Sequence, residues 1–352
     1  MQIDDIDTPA VLIDLDIVER NLRAAQDYAD AHGLALRPHV KTHKLPRFAR
    51  AQMALGAVGI TAQKLGEAEA MADGGITDIF LPYNILGNRK LARLTALADR
   101  VRLSVTTDSL VTLAGYARTF TDPAKPLTVL VESDTGGNRC GVQTAEEAVA
   151  LARAIAAEPG LRFGGLMIYP KRGGLAETQS WLSGAVAALT LASLPPPVVS
   201  TGGTPDMLRA AEVTHATEHR PGTYIYNDRM QVGWGHGSWD DCALTVLTTV
   251  VSRPTPTRAI LDAGSKALAA DPAPQGGHGR ITDYPQAVIT ALNEEHGIVD
   301  LTACPEKPQI GDRVRVIPNH ACVVTNLFDR VYLMRGSQVE EVAAVTSRGK
   351  LT

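Results

Sequence analysis

The stretch Arg37-Pro38-His39-Val40-Lys41-Thr42-His43-Lys44 sets Lys41 among His39, His43 and Lys44, directly after a short run that reads as a β-strand. Neighbouring cations disfavour the ammonium form, and a neutral amine rooted on rigid backbone is a nucleophile that condenses with aldehydes. Taken alone, a solvated basic surface is the commoner origin of such a run. A second strand-like run ends in Ser200-Thr201-Gly202-Gly203-Thr204-Pro205-Asp206 and leads into a helical pattern. Paired glycines before a helix let backbone amides approach a phosphate, although a tight turn uses the same residues. Two further strand ends supply the Arg139 guanidinium, within Asp134-Thr135-Gly136-Gly137-Asn138-Arg139-Cys140-Gly141, and the Tyr169 hydroxyl. Either can hydrogen-bond a ligand ring; a surface ion pair and a core aromatic are the plain alternatives. A phosphate cradle opposite a strand-end lysine is what a phosphate-bearing aldehyde cofactor requires.

Near the C-terminus, Arg313-Val314-Arg315-Val316-Ile317-Pro318-Asn319-His320-Ala321-Cys322 runs off a strand pattern into a His-x-Cys pair. Alternate residues of an extended chain face the same way, so His320 and Cys322 can address one ion. Imidazole with thiolate suits Zn²⁺ rather than Mg²⁺ or Ca²⁺, and two protein ligands leave positions for water and substrate. A buried cysteine beside an unrelated histidine gives the same pattern.

Such residues need a frame that gathers strand ends. From about residue 10 to 228, short β-branched runs alternate with longer helical patterns, the rhythm of βα units and a parallel sheet. Candidate strands end at Val40, Ala62, Pro82, Thr106, Glu132, Tyr169, Thr201 and His215-Ala216-Thr217-Glu218, which makes eight. Eight strands with intervening helices predict a (β/α)₈ TIM-type barrel, whose active site lies at the C-terminal strand ends. Asp16 is a candidate cap for a helix running to Gly33, and Thr144 with Glu147 makes a capping box before a helix ending near Pro159-Gly160. After about residue 240, strand-like stretches at 244–251, 258–262, 313–317, 331–334 and 342–345 come without helices and predict a C-terminal antiparallel β-domain. The expected boundaries are a barrel over 10–235 and an antiparallel β-domain over 236–352 together with residues 1–9. The Pro- and Gly-rich 271–279 reads as a connector or as a mobile loop over the site.

With 352 residues, 45% hydrophobic and 20% charged, the chain is globular in composition and long enough for both domains. A formal net charge of -4 without a basic run or zinc-finger spacing argues against nucleic acid and for a small-molecule partner. The acidic start, Met1-Gln2-Ile3-Asp4-Asp5-Ile6-Asp7, is unlike a signal peptide, and no apolar run reaches membrane-spanning length. A cytoplasmic protein without a membrane partner is therefore expected. Cys140, Cys242, Cys304 and Cys322 lack the spacing of a disulfide framework, in keeping with a reducing compartment.

Together these motifs resemble the D-threonine aldolase and eukaryotic-type D-serine dehydratase family, fold-type III pyridoxal-phosphate enzymes with an alanine-racemase-like barrel. The run from Arg37 to Lys44 is similar to the family's cofactor-lysine motif. Further likeness lies in Gln63-Lys64-Leu65-Gly66-Glu67-Ala68-Glu69, Arg220-Pro221-Gly222-Thr223-Tyr224, Asp262-Ala263-Gly264-Ser265-Lys266 and Glu295-His296-Gly297. The resemblance implies that Lys41 is the catalytic, cofactor-bearing lysine and that Thr201, Gly202, Gly203, Thr204 and Tyr224 hold the phosphate. It further implies that Arg139 sits near the ring's phenolic oxygen, that Tyr169 faces the ring, that His39 joins the cofactor-binding set, and that His320 and Cys322 bind a divalent metal, zinc or manganese. The implied activity is that of a homodimeric lyase acting on D-3-hydroxy amino acids, foremost a D-threonine aldolase. Dehydration of D-serine or D-3-hydroxyaspartate is the alternative, and a non-catalytic carrier of pyridoxal phosphate a further one. Cys322 resembles the dehydratase branch, whereas Asn326-Leu327 with Asp329 resembles the aldolase branch. After Tyr169, where relatives carry a Gly-His segment and a nearby histidine proposed as base, this chain has Pro170-Lys171-Arg172-Gly173-Gly174-Leu175, which makes Lys171 and Arg172 candidate substrate-reading residues.

Overall fold

A computed structural model describes residues 1–352. The chain divides into two compact units, one of Ala24–Lys41, Pro46–Gly222 and Lys350–Thr352, the other of Met1–Arg23, Thr42–Leu45 and Thr223–Gly349. Strand β1 (Ala10–Asp14) belongs to the second of these.

The first unit holds β2 (Ala35–Leu36), β3 (Ile60–Thr61), β4 (Asp78–Leu81), β5 (Arg102–Thr107), β6 (Leu127–Ser133), β7 (Leu161–Ile168), β8 (Val198–Gly202) and β9 (Glu218–Arg220). Each pairs in parallel with its neighbour in the order β2-β9-β8-β7-β6-β5-β4-β3. A parallel bridge between His39 and Thr61 closes the sheet, through Thr61 N–H to Pro38 O at 2.8 Å and Val40 N–H to Thr61 O at 2.9 Å. The predicted barrel is therefore present. Its last strand lies later than expected, over Glu218–Arg220 rather than 215–218, because Ala216 N–H closes a turn on Val213 O at 2.9 Å and delays the pairing.

Side-chain alternation sorts each strand into two faces. On β6, Val129 and Val131 enter the large apolar cluster shared with the surrounding helices, while Leu130 packs with Phe80 and Met167 in a small separate cluster. The alternate residues of neighbouring strands also carry ions: Arg37 bonds Glu218 at 2.6 Å and Asp78 at 2.5 Å, and Arg220 bonds Ser200 at 2.6 Å, which in turn donates to Glu218. The Thr144–Glu147 capping box forms as predicted, at the start of the helix Ala145–Ala157. The helix Leu15–Ala31 is capped by Asp14 rather than Asp16: Asp14 Oδ1 accepts from the amides of Asp16 at 3.0 Å and Ile17 at 3.1 Å, since the capping side chain must precede the first turn.

The second unit adds β10 (Leu244–Thr255), β11 (Arg258–Leu261), β12 (Arg280–Ile281), β13 (Val288–Leu292), β14 (Gly297–Asp300), β15 (Arg313–Ile317), β16 (Arg330–Arg335) and β17 (Gln338–Ala344). The order is β13-β14-β11-β10-β1-β16-β17, with β15 also on β10 and β12 on β15. Every pairing is antiparallel except that of β1 with β16, so the sheet is mostly rather than wholly antiparallel. Residues 10–14, expected in the barrel, lie between β10 and β16; Ala10-Val11-Leu12-Ile13 is buried throughout, as an inner strand covered on both faces must be. Compactness thus divides the chain elsewhere than at the expected 235/236 boundary. Two short helices, Ser265–Leu268 and Ala321–Leu327, interrupt what read as a helix-free region. No helix is long and apolar enough to cross a membrane.

Candidate active site

The expected site residues fall into two sets. In the barrel unit, Lys41 stands half-buried in the turn after β2. His39 accepts the Lys41 amide at Nδ1 (3.3 Å), which leaves Nε2–H to donate to Gln63 Oε1 at 2.9 Å. A ring nitrogen that accepts a hydrogen bond carries no proton, so His39 is neutral. In the second unit the same holds for His43, whose Nδ1 accepts from the Leu45 amide at 3.1 Å. The expected crowd of cations around Lys41 therefore loses its two histidines. Strand-end position, rather than histidine charge, distinguishes this lysine.

Arg139 lies over the Tyr169 ring, 4.6 Å from its centroid, and 3.9 Å from Glu132, whose carboxyl burial pushes up to about 7 against the pull of Arg139. Asp134 Oδ1 shapes the intervening loop by accepting from the amides of Gly136 at 2.9 Å, Gly137 at 2.7 Å and Asn138 at 3.2 Å. A Cβ on Gly141 would stand 2.5 Å from the backbone of Asp134, so only glycine closes this loop. Beside it, a Cβ on Gly203 would come 3.6 Å from the Tyr169 ring, so the Gly202-Gly203 segment, Tyr169 and Arg139 lie together. After the glycines the chain enters a six-residue 3-10 turn, Met207–Glu212, rather than the expected helix, so a phosphate there would rely on loop amides and not on a helix dipole.

Lys171 and Arg172 are exposed in a turn closed by Gly174 N–H to Lys171 O at 2.8 Å. Gly173 N–H donates to Asp206 at 2.9 Å and ties that turn to the glycine loop. On β9 lie His219, not singled out from the sequence, and Arg220, which there only opened a run of family likeness. Burial and the neighbouring Arg220 push His219 down to about 3, and burial brings the Arg220 guanidinium down to about 10. The donor set fits a phosphate-bearing aldehyde cofactor: an amine, a side-chain-free loop, a guanidinium over a phenol ring, and Thr106 Oγ1, a buried hydroxyl without a partner near the end of β5.

In the second unit, His320 is the extended N-cap of the helix Ala321–Leu327 and Cys322 lies in its first turn. The pair does meet, through a side-chain hydrogen bond, but by the chain turning into a helix and not by strand alternation. Asp271 Oδ1 accepts from His320 Nδ1 at 3.0 Å, so Nε2 is the nitrogen left for an ion. Asn319 fastens the segment by donating to the carbonyls of Asp271 and Gly277, both at 2.8 Å, which makes 271–279 part of the site's support. The buried Asp228 accepts from the amides of Gln231 at 2.9 Å and Ala321 at 3.0 Å, and so holds the peptide between the two candidate ligands. Thr42 Oγ1 lies 3.1 Å and Thr223 Oγ1 3.6 Å from Cys322 Sγ; in the chain these two come directly after Lys41 and Gly222. Tyr224 is buried in the next turn. His, Cys, Asp and Glu side chains form no group of three or more that could hold a metal ion by itself, and imidazole plus thiolate fits an open divalent site that keeps positions for water and substrate.

Residues 13–230 match the family model for the alanine racemase N-terminal domain, and residues 243–334 that for a serine dehydratase domain. The chain is 34% identical to a D-threonine aldolase of an Arthrobacter species over 98% of its own length and 93% of the relative's. It is 33% identical to a 3-hydroxy-D-aspartate aldolase of Paracoccus denitrificans (98% and 93%) and 34% identical to a D-threo-3-hydroxyaspartate dehydratase of a Delftia species (90% and 91%). The crystal structure of D-threonine aldolase from Filomicrobium marinum superposes with a TM-score of 0.92 at 32% identity, covering 99% of this chain and 97% of that one. A cysteine-to-alanine variant of a D-threo-3-hydroxyaspartate dehydratase, solved in a metal-free form, superposes with a TM-score of 0.89 at 31% identity, covering 98% of this chain and 99% of that one. Likeness of this extent and degree, on a barrel whose lysine and glycine loop stand at the strand ends, means that the chain belongs to the D-threonine aldolase and D-serine dehydratase family of pyridoxal-phosphate-dependent lyases.

Proposed function

We propose that the protein is a pyridoxal-phosphate- and divalent-metal-dependent lyase of D-3-hydroxy amino acids, foremost a D-threonine aldolase that yields glycine and an aldehyde. The observation that carries this reading is Lys41 in the turn after β2, directly before Thr42, whose hydroxyl is hydrogen-bonded to Cys322 of the metal-type pair. Family resemblance supports a cytoplasmic homodimer as its setting. Lys41 would carry the cofactor aldehyde, Thr201, Gly202, Gly203 and Thr204 with Tyr224 its phosphate, and Arg139, Tyr169 and His39 would border its ring. When bound, pyridoxal phosphate supplies an electron sink for the pair released at the substrate Cα. A divalent ion, zinc or manganese, on His320 and Cys322 supplies Lewis acidity to the β-hydroxyl oxygen. Orientation selects the bond that breaks. With Cα–Cβ aligned, the β-hydroxyl would pass its proton to a base, the Cα–Cβ bond would break to release the aldehyde, and a proton returned to Cα would leave glycine; with Cα–H aligned, Lys41 Nζ would take the Cα proton and the β-hydroxyl would leave as hydroxide, the 2-oxo acid and ammonia following by hydrolysis.

A dehydratase is the second reading, favoured by Cys322 itself. Variants of a D-threo-3-hydroxyaspartate dehydratase replace a histidine and a cysteine two positions apart, the spacing of His320 and Cys322, and the cysteine variant was solved in a metal-free form. Product analysis separates the readings. D-threonine is expected to give glycine and acetaldehyde; ammonia and a 2-oxo acid from D-serine or D-3-hydroxyaspartate, with no glycine from any substrate, would instead establish dehydration. A pyridoxal-phosphate-loaded, metal-loaded protein inert towards all three would be a carrier.

The exposed Lys171 and Arg172, on a turn tied to the glycine loop, suit a substrate with a second carboxylate. Charge-assisted hydrogen bonds of this kind are worth about 1.5–3 kcal/mol each, so replacing both residues with Ala is expected to raise KM for D-3-hydroxyaspartate by at least roughly tenfold while sparing D-threonine. Equal losses for the two substrates, or no loss, would mean that these charges read no carboxylate.

A further inference from the structure

The Thr201↔His219 register of β8 and β9 places one imidazole against the glycine loop. His219 Nδ1 lies 2.9 Å from Thr201 Oγ1, and Nε2 lies 3.1 Å from the Gly203 carbonyl oxygen. A carbonyl only accepts, so Nε2 carries the proton; full burial beside Arg220 keeps the ring neutral, and Nδ1 accepts from the Thr201 hydroxyl. The C=O and N–H of a trans peptide point in opposite directions. Holding the Gly203 carbonyl towards His219 therefore turns the Thr204 N–H to the other side. Gly203 has φ +110°, a conformation open to glycine, and glycine's freedom makes this peptide plane the one that most needs an external hold. Thr204 Oγ1, accepting from Gly222 N–H at 3.2 Å, fastens the loop's far end.

We infer that His219 is a positioning residue for the cofactor phosphate: its Nε2–H fixes the Gly203 carbonyl so that the Thr204 amide is presented to the phosphate. This role rests on pyridoxal phosphate being the cofactor of the glycine loop. It belongs to a neutral donor of the right reach, and a side chain that merely fills the space would not perform it.

The test compares the full-length apoprotein with His219→Leu, His219→Asn and His219→Gln for affinity towards pyridoxal phosphate and towards pyridoxal, which lacks the phosphate. His219→Leu removes the donor, His219→Asn withdraws it by one methylene, and His219→Gln can still reach the Gly203 carbonyl. By the worth of one hydrogen bond that orders a charge-assisted contact, His219→Leu and His219→Asn are expected to weaken pyridoxal phosphate roughly ten- to hundredfold and leave pyridoxal within about twofold, while His219→Gln recovers most of the loss. Should His219→Leu fail to fold, the contrast between Asn and Gln decides. The inference is overturned if both ligands weaken together, if neither changes, or if Gln does no better than Asn. Equal wild-type affinity for the two ligands would overturn it as well, and would show that the fault lies in the phosphate-cradle reading itself.

Discussion

Replacing Lys41 with Ala is expected to remove the visible absorption band of lysine-bound pyridoxal phosphate and to lower turnover on the order of 10³-fold or more, the scale on which a covalent and proton-transferring group acts. Borohydride reduction of the loaded wild-type protein should fix the cofactor on Lys41, as read by peptide mass. The competing lysines are committed elsewhere. Lys44 is buried with Nζ 3.4 Å from the Ser347 carbonyl. Lys266 is held by Glu294 at 2.9 Å and Glu295 at 2.8 Å, and those contacts raise its pKa and keep it charged, a poor state for a nucleophile. Lys64 lies 3.9 Å from the Tyr83 ring centroid. A label found on Lys44 or Lys266 would refute the assignment.

Removing the metal should silence the enzyme and leave the cofactor in place. Chelation is expected to abolish turnover while the visible spectrum stays largely intact, because the candidate ligands His320 and Cys322 belong to one compact unit and Lys41 with the glycine loop to the other. His320→Ala or Cys322→Ala should do the same permanently. The partners behind the pair give a graded form of the test: Asp271→Asn, which loses the charged hold on His320 Nδ1, is expected to weaken metal binding by roughly ten- to hundredfold in competition with a chromogenic chelator. Full activity in a preparation shown to be metal-free would overturn the metal's role. Unaltered metal affinity in Asp271→Asn would remove Asp271 from the site's support.

What could be read along the chain was what local chemistry dictates. Eight apolar runs at βα spacing sufficed for the barrel, and because a barrel gathers its strand ends, strand position alone made Arg139, Tyr169 and the glycine pair, which lie together, candidates for one site. The Thr144–Glu147 box was legible for the same reason: both partners lie within one turn. Features created by partners far apart in sequence were not legible. Residues 10–14 carry the same apolar run whether they start a barrel or lie between β10 and β16, and only pairing with residues more than two hundred positions away decides. The Asp271 carboxylate on His320, 49 positions distant, leaves no periodic trace, nor does Asp228 holding the Ala321 amide across 93 positions. His39 and His43 show the converse limit. Their number and spacing suggested a field of positive charge, yet each ring accepts a backbone amide and is neutral. Protonation and ligand geometry are properties of the three-dimensional surroundings, since burial, hydrogen-bond direction and opposing charge act through space; residue type along the chain sets only which chemistries are open to them.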